Sequence, residues 1–556
     1  MGIRRATRIP IGTAAAIVVA VLCALPHAGV LVAAMAGSVD TVSQLAATVL
    51  PRYVLTTLAL VALVGAGTFV LGAATAWIVT AFAFPGRRLL EGALILPLAL
   101  PGYVAAYAYT FLLDHPGPVQ TALRDAIGWG PRDYWFPEIR SLGGAAAMLT
   151  LVLYPYVYLL ARSAFLMEGA GPAQVARSLG RGPLGVFLTV TLPMARPAIA
   201  AGVLLAMMET LADFGTVAHF GVRTFATGIY TSWFTLADRA AAAQLALGLL
   251  AFALTLAVLE RRSRGGARYA TRGVVPAPRI ALRGRGAVLA ILACALPVAL
   301  GLVVPVGTLA AMAAGSEQSW TDPRYLRFAG NTVVLGLVAA AVTVGAAVLL
   351  GSLHRVRGGR PARWALYLGR LGYAVPGGVI AVGLLVPFAA FDNALDLWAE
   401  RSFGIRTGLL LTGSIWVLVL AYVIRFLAAA IGAYEGGLAS VTPNVDAAAR
   451  VLGRSGWGVV GRVHLPVLRP ALVTAALIVF VDVAKELPAT LIMRPFDFDT
   501  LAVQAYRLAS DERLGGAAVP SLTIALIGLV PVLLLCLQVA RRPVPGARTR
   551  VPGGAG

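Results

Sequence analysis

Two pairs of carboxylates lie in long apolar stretches of the 556-residue chain. Glu209 and Asp213 form one pair, and Asp482 and Glu486 form the other. Each pair is spaced by four residues, which places both side chains on one face of a helix. Ionisable groups within a membrane are costly and often functional. The pairs suggest a pathway for a cation, or a structural role in which they bond to neighbouring helices and to Lys485.

An offset of 273 residues relates the two pairs, and the predicted spans contain no other acidic residue. A symmetric role is therefore expected for these four side chains. If they contact a cation, neutralising Glu209 and Asp482 together should reduce transport while binding to an ATPase persists.

The same offset relates two basic segments. Residues 176–197 read ARSLGRGPLGVFLTVTLPMARP and residues 449–470 read ARVLGRSGWGVVGRVHLPVLRP, with 12 of 22 positions identical. Each segment continues a short predicted helix, Pro172–Leu179 or Asn444–Leu452, which a glycine stops in a left-handed turn. Each loop ends in Leu-Pro, at Leu192-Pro193 or Leu465-Pro466, a pair suited to the first turn of the next span. Each half thus presents a short helix with small residues on its surface.

These segments connect apolar blocks that are long enough to cross a bilayer. The chain is 59% hydrophobic and only 12% charged, which excludes an ordinary soluble domain. About twelve spans are predicted, near 11–36, 53–83, 92–113, 144–166, 197–219, 241–259, 287–314, 330–352, 364–390, 407–430, 471–492 and 516–540. Basic residues dominate the side that holds both termini, so both termini are expected to be cytoplasmic. The net charge of +21 then reflects topology and lipid headgroups, not nucleic acid.

The spans divide into two six-span halves. We predict a first half at 1–260, an arginine-rich cytoplasmic linker at 261–286 and a second half at 287–556. Odd-numbered spans correspond to odd-numbered spans, so the repeat is parallel.

The repeated segments resemble the coupling loops of binding-protein-dependent ABC importer permeases, written E-A-A, three residues, G, then a distal L-P. The resemblance covers both halves and implies an all-α fold of two parallel six-helix repeats, similar to type I ABC importer permeases. It assigns ATPase-coupling loops at 172–193 and 442–466. The matching positions are Gln174, Ala176, Arg177, Gly180, Leu192 and Pro193, and Ala448, Ala449, Arg450, Gly453, Leu465 and Pro466.

The loops depart from the family pattern at its glutamate. Gln174 and Ala447 occupy that position, and Asp446 lies one residue away. The resemblance still implies that each short helix docks on one of two copies of a cytoplasmic ATPase.

No ATP site is found in the chain itself. A phosphate-binding loop needs a lysine after a glycine-rich turn, and the only lysine, Lys485, stands in VDVAKELPAT. No cofactor is therefore expected in this chain, and ATP should bind the partner ATPase. The chain is expected to be a permease subunit and not an enzyme.

Three stretches resemble fused iron(III) importer permeases: 96–115, 209–234 and 485–506. This resemblance implies iron(III) as substrate, a periplasmic or lipid-anchored binding protein, and a place in the bacterial cytoplasmic (inner) membrane. Permeases for thiamine, phosphonate or polyamine share the same plan and remain alternatives. A twelve-span secondary transporter is a more distant one, but it would not need two docking loops.

No metal site can be identified from spacing. The five histidines have no ligand pattern. His219 could contact a ferric ion at the periplasmic mouth, but a helix-end histidine bonded to the backbone explains it better. Tyr103, Tyr107 and Tyr109 offer hard oxygen ligands, but interfacial aromatics explain them equally well. The metal ligands are therefore left unassigned. A membrane-embedded enzyme would need an acid/base constellation, which the scattered loop acids do not provide.

Overall fold

A computed structural model describes residues 11–167, 171–264, 279–454 and 456–541. The first half of the sequence forms α1 (Ile11–Met35), α2 (Val39–Thr48), α3 (Leu50–Ala81), α4 (Arg87–Ala93), α5 (Gly102–Leu113), α6 (Pro118–Ile127), α7 (Leu142–Met167), α8 (Gly171–Ser178), α9 (Pro183–Val186), α10 (Leu192–Ala212), α11 (Gly215–His219), α12 (Phe225–Tyr230) and α13 (Arg239–Arg264). The second half forms α14 (Arg285–Val298), α15 (Val304–Ala314), α16 (Pro323–Arg357), α17 (Gly359–Leu371), α18 (Gly377–Phe403), α19 (Ile415–Leu438), α20 (Pro443–Val451), α21 (Gly456–Val459), α22 (Leu465–Ala484), α23 (Pro488–Met493), α24 (Leu501–Ser510) and α25 (Leu514–Arg541).

Shorter elements interrupt or join these helices. Turns of 3-10 helix lie at Leu96–Ala99 and Gly372–Ala374, and π-helical turns at Phe187–Thr191, Thr231–Thr235, Ala299–Val303 and Val460–His464. Two short strands, β1 (Phe82–Ala83) and β2 (Ile280–Ala281), pair in parallel.

The described residues contain eleven helices that are long and apolar enough to cross a membrane. A bent pair, Arg87–Ala99 and Gly102–Ile127, gives a twelfth span if it is counted as one, with an angle of 93° at the break. Pro101 and Gly102 stand at this break, where proline cannot continue a helix. The protein is thus an all-α, multi-pass membrane protein, as the sequence predicts.

Several predicted span ends are displaced in the structure. The span predicted at 197–219 is continuous from Pro183 to Ala212, and the span predicted at 407–430 is Ile415–Leu438. As predicted, a Leu-Pro pair opens the α-helix that follows each loop, α10 at Leu192 and α22 at Leu465, but each helix continues a longer span. Pro193 and Pro466 each lie about ten residues inside a continuous span, directly after a π-helical turn. The wider turn accommodates proline, which lacks the N–H of a regular helix.

The predicted count of acids within spans is also too low. The helices observed as candidate spans extend beyond the predicted windows and include Glu260, Asp392, Asp396, Glu400 and Glu435. The predicted spans leave out such residues because the charged ends of long helices lower the mean hydropathy of a sequence window.

Contacts divide the chain into two compact units. The larger unit comprises 1–57, 211–254 and 312–531, and the smaller unit comprises 58–210, 255–311 and 532–556. In the larger unit α1 packs against α16, α17 and α18. In the smaller unit α14 packs against α4, and the π-helical turn after it packs against α7.

The first span of each sequence half therefore packs in a unit that the other half mainly forms. The halves at 1–260 and 287–556 remain a prediction about the repeat and do not coincide with these packing units. Residues 265–278 of the linker predicted at 261–286 lie outside the described residues.

Candidate functional site

The two predicted coupling helices are formed by equivalent residues. α8 and α20 each lie within one residue of the predicted bounds. Gly180 and Gly453 follow them with φ values of +83° and +79°. The N–H groups of Arg181 and Arg454 donate to Ala176 and Ala449, each 3.1 Å away.

This pattern is the Schellman motif, in which a left-handed glycine ends a helix. It confirms the stop that the sequence predicts in each loop. The coupling role of the loops stays a prediction.

Both coupling helices bury an alanine and expose a leucine. Ala176 and Ala449 are each 7% exposed, whereas Leu179 and Leu452 are 77% and 79% exposed. Leu179 and Leu452 are related by the 273-residue offset. The remaining matched residues differ in solvent exposure. The exposed ones are Gln174, Gly180, Ala448, Arg450, Gly453 and Pro466, and the half-buried ones are Arg177, Leu192, Pro193 and Leu465. Each loop thus presents an apolar side chain that is available to a partner surface.

Asp446 attaches the second coupling helix to two other segments. Its Oδ2 accepts a hydrogen bond from Arg355 Nε, and its Oδ1 accepts one from His464 Nε2, both at 2.8 Å. Arg355 also donates to the carbonyl of Val441 at 3.0 Å. Burial opposes the charged carboxylate, but the bonds from His464 and Arg355 outweigh it, and the pKa of Asp446 lies below its ordinary value.

The first coupling loop is held by aromatic packing instead. Phe187, at the start of its π-helical turn, stacks on Trp77 with ring centroids 4.5 Å apart. Phe165 packs edge-on against the ring of Phe187. The position equivalent to Asp446 is Ala173, which cannot make an ion pair. The two loops are therefore similar in backbone and different in their anchors.

Two of the predicted pathway acids cap short helices. Asp213 Oδ1 accepts from the N–H groups of Thr216 and Val217, at 3.0 and 3.2 Å. The carboxylate of Glu486 accepts from the N–H groups of Ala489 and Thr490, at 2.9 and 3.1 Å. A threonine hydroxyl donates to each carboxylate as well, at 2.9 and 2.8 Å. Asp213 and Glu486 thus occupy equivalent positions in the two halves and cap the equivalent helices α11 and α23.

The other members of the predicted pathway lie on the preceding helices. Asp482 forms an ion pair with Lys485, with Oδ1 and Nζ 2.9 Å apart. Glu209 is half-buried on α10, one turn before Asp213. The structure therefore joins Asp482 to Lys485 and uses Asp213 and Glu486 as helix caps. Contact with a transported cation stays a prediction.

Arg425 is a half-buried cation that the sequence reasoning missed. A Cβ atom on Gly377 would lie 2.5 Å from Glu486 Oε1 and 2.9 Å from Arg425 Nη1, so both groups approach this glycine. Gly377 begins α18 after the Pro376 break. An arginine inside the span predicted at 407–430 was the available signal. Its proximity to Glu486 depends on packing between helices distant in sequence.

Ionic contacts also join the fourth span of each half to a shorter helix that precedes it, α4 or α17. Arg162 Nε donates to Glu91 Oε1 at 2.8 Å in the smaller unit, and Arg370 pairs with Glu435 in the larger unit. Arg162 and Glu435 are related by the 273-residue offset, so the charge on the fourth span is reversed between the halves.

No cluster of three or more His, Cys, Asp or Glu side chains that could hold a metal occurs in the described ranges. The predicted oxygen ligands are buried: Tyr103, Tyr107 and Tyr109 are each at most 6% exposed. Tyr109 donates to the carbonyl of Leu300 at 2.6 Å. His219 lies at the end of α11, where its ring packs near Phe220.

Sequence comparisons agree with this architecture. Residues 333–542 match the family described as binding-protein-dependent transport system inner membrane component. The chain is 24% identical to the Fe(3+)-transport system permease protein FbpB 2 of Haemophilus influenzae, over 86% of this chain and 88% of that protein. It is 27% identical to a "probable ABC transporter permease protein" of Sinorhizobium fredii, over 73% of both chains. It is 29% identical to the molybdenum transport system permease protein ModB of Escherichia coli, over 32% of this chain and 78% of that protein.

Proposed function

We propose that this chain, an inner-membrane protein that resembles ABC importer permeases, is the fused permease subunit of an ATP-driven iron(III) importer. The observation that carries the proposal is the pair of equivalent coupling helices, each ended by a left-handed glycine and each exposing a leucine. One docking helix per half accounts for two copies of a separate ATPase. The family match further supports a substrate-binding protein as partner.

Iron(III) is proposed because of the relatives named for it. The Fe(3+)-transport permease of H. influenzae matches over most of both chains, whereas the molybdenum permease matches about a third of this one. Coupling is expected to begin when ATP closes the ATPase pair against α8 and α20. The continuous helices that follow them, 183–212 and 456–484, would carry the movement toward α11 and α23. Both termini would be cytoplasmic.

The substrate is tested by uptake in cells with and without the gene, using labelled ferric iron and, in parallel, labelled thiamine. Loss of iron uptake alone supports the proposal. Loss of thiamine uptake alone would keep the importer and reassign its substrate. Unchanged uptake of both would remove iron(III) as the assigned substrate.

Docking is tested by placing charge on the exposed leucines. Leu179→Asp and Leu452→Asp together should abolish co-purification of the ATPase, because a carboxylate cannot enter an apolar contact without desolvation. Phe496→Asp is the matched control, since Phe496 is 97% exposed and lies outside both loops. Undiminished co-purification in the double variant would contradict docking at these helices.

A further inference from the structure

A cavity of about 890 Å³ lies in the larger unit, and its walls include residues after the capped helices α11 and α23. It is located beyond the end of α22 that is remote from the coupling helix α20. Residues of α12, its following π-helical turn and α24 complete the wall. This volume falls in the range of small-molecule sites.

Three arginines line the cavity: Arg223, Arg494 and Arg507. Among the residues that the structure describes, no aspartate or glutamate lines it, and none of the four predicted pathway acids is part of its wall. Asp499 lies behind the wall and forms ion pairs with both Arg494 and Arg507, the latter at 2.7 Å. One carboxylate is thus shared by two guanidinium groups, and the three arginines keep a positive excess.

The arginines retain donors for a ligand. Arg223 is exposed at the cavity, and half of the Arg507 side chain is exposed. The Nε of Arg494 is buried, so the donors open to a ligand are those of Arg223 and Arg507. A guanidinium has only donors, and its planar array suits carboxylate and phosphate oxygens.

Aromatic rings form a packed base for these charges. Phe214 stacks on Tyr230 with centroids 3.6 Å apart, and it contacts Tyr506 at 5.4 Å. The Tyr230 hydroxyl donates to the carbonyl of Pro488, which joins α12 to α23. The base is therefore fixed by contacts between segments distant in sequence, while the charged groups face the open volume.

We propose that this cavity binds an anionic oxygen ligand, and that iron(III) enters it as a negatively charged chelate and not as a bare ion. The proposal rests on the proposed function for the identity of the metal. A bare ferric ion would meet three guanidinium groups and no carboxylate, which is an unfavourable arrangement of like charges. A chelate with peripheral carboxylates instead offers acceptors to the arginines. A free oxyanion has the same chemistry and is the other source of ligand.

The test measures binding to the purified full-length chain in nanodiscs of neutral phosphatidylcholine. The probes are labelled ferric citrate, labelled citrate without iron, and labelled sulfate. Arg223→Gln and Arg507→Gln, combined, should weaken ferric citrate binding at least tenfold, and Arg223→Lys alone should retain most of it because the charge is kept. Arg401→Gln is the matched control, since Arg401 is exposed at the end of α18 and does not line the cavity. Equal thermal unfolding of the variants shows that folding is preserved.

Ferric citrate binding that depends on the arginines and exceeds sulfate binding supports the chelate. Arginine-dependent binding of sulfate alone supports the anion site and overturns the chelate. Equal binding by the double variant and the parent chain overturns the site.

ATP-driven iron import by the complete complex in proteoliposomes then separates the two proposals. Import that is unchanged in the double variant leaves the iron importer standing and overturns the cavity as a substrate site. Absence of import by the parent complex, with arginine-dependent anion binding intact, removes iron(III) and keeps the anion site.

Discussion

Asp446 joins the second coupling helix to the end of α16 and to the turn before α22. Asp446→Asn should destabilise the protein by about 3 kcal/mol, the low end for breaking a buried ion pair, because Arg355 is partly exposed. Thermal unfolding of the purified chain measures this loss. Asp511→Asn, at an exposed aspartate, should leave the unfolding temperature unchanged. Equal effects of the two substitutions would contradict the anchoring role.

The same residue predicts a dependence on pH. Its pKa is lowered in the folded protein, so its contribution is fully present above the ordinary value of 3.8 and is lost as the pH falls through the folded pKa. The stability difference between the parent chain and Asp446→Asn should therefore be constant near neutral pH and shrink only below pH 3.8. A difference that already shrinks between pH 7 and pH 5 would assign the effect to another group.

The four acids of the predicted pathway should differ in their effect on stability. Glu486→Ala leaves two N–H groups of α23 without their acceptor and should cost about 2–3 kcal/mol. Asp482→Asn removes a partly exposed ion pair with Lys485 and should cost about 0.5 kcal/mol. Unfolding measurements on the two variants test the contrast. A larger loss for Asp482→Asn would show that the capping contacts are not what holds Glu486.

The spacing of these acids was visible in the sequence, but their bonding was not. The predicted spans 197–219 and 471–492 enclose Asp213 and Glu486, whereas the observed helices end just before them, at Ala212 and Ala484. Hydropathy could not show that each carboxylate accepts from backbone N–H groups of the next short helix, because the predicted spans run into α11 and α23 without a break. The bonds from Arg355 and His464 could not be predicted from the sequence either, because these residues contact Asp446 only after three segments pack together.

At the scale of elements, α1 and α18 cross with almost no space between their backbones. A Cβ atom on Gly383 would lie 2.2 Å from the carbonyl oxygen of Pro26, and one on Gly29 would lie 1.9 Å from that of Gly383. Gly383→Ala must therefore displace a helix and should cost about 1–3 kcal/mol, as overpacking does. Thermal unfolding measures the change.

Gly432→Ala is the control for this crossing, because a Cβ there meets nothing within 4 Å. It should be neutral or slightly stabilising, since alanine favours a helix over glycine. Similar destabilisation by both substitutions would show that the crossing has no special constraint.

The coupling helices were predicted within one residue because their signals are local. A proline or polar start and a glycine stop fix a short helix without help from the rest of the fold. The long spans were predicted less well. The segment at 407–414 forms bends and a turn before α19. Its leucines raise the mean hydropathy of a sequence window enough for the segment to be included in the predicted span.

At the scale of the whole molecule, the first span of each sequence half packs in the unit that the other half mainly forms. This arrangement predicts how the two halves behave when they are expressed as separate chains. Residues 1–270 and 271–556, expressed together, should co-purify as a stable complex, because α1 packs on α16, α17 and α18. Each half expressed alone lacks partners for a span and should be recovered poorly. Size-exclusion chromatography and unfolding measure both outcomes.

Removal of α1 from the first fragment provides the control. Residues 36–270 should stabilise 271–556 much less than residues 1–270 do. A second half that is equally stable alone and with its complement would contradict the packing of α1 described above.

The same arrangement sets an order for biosynthesis. Gly29 is synthesised about 350 residues before Gly383, a delay of roughly 20–70 s at ordinary translation rates. During that time α1 must remain in the lipid without its partner, which its apolar length permits. By contrast, α14 enters the membrane after α4 and α7 and can pair at once. The nascent chain can therefore form the contact between α14 and α4 before α18, the partner of α1, has been synthesised. Assembly is then not a simple succession of two identical halves.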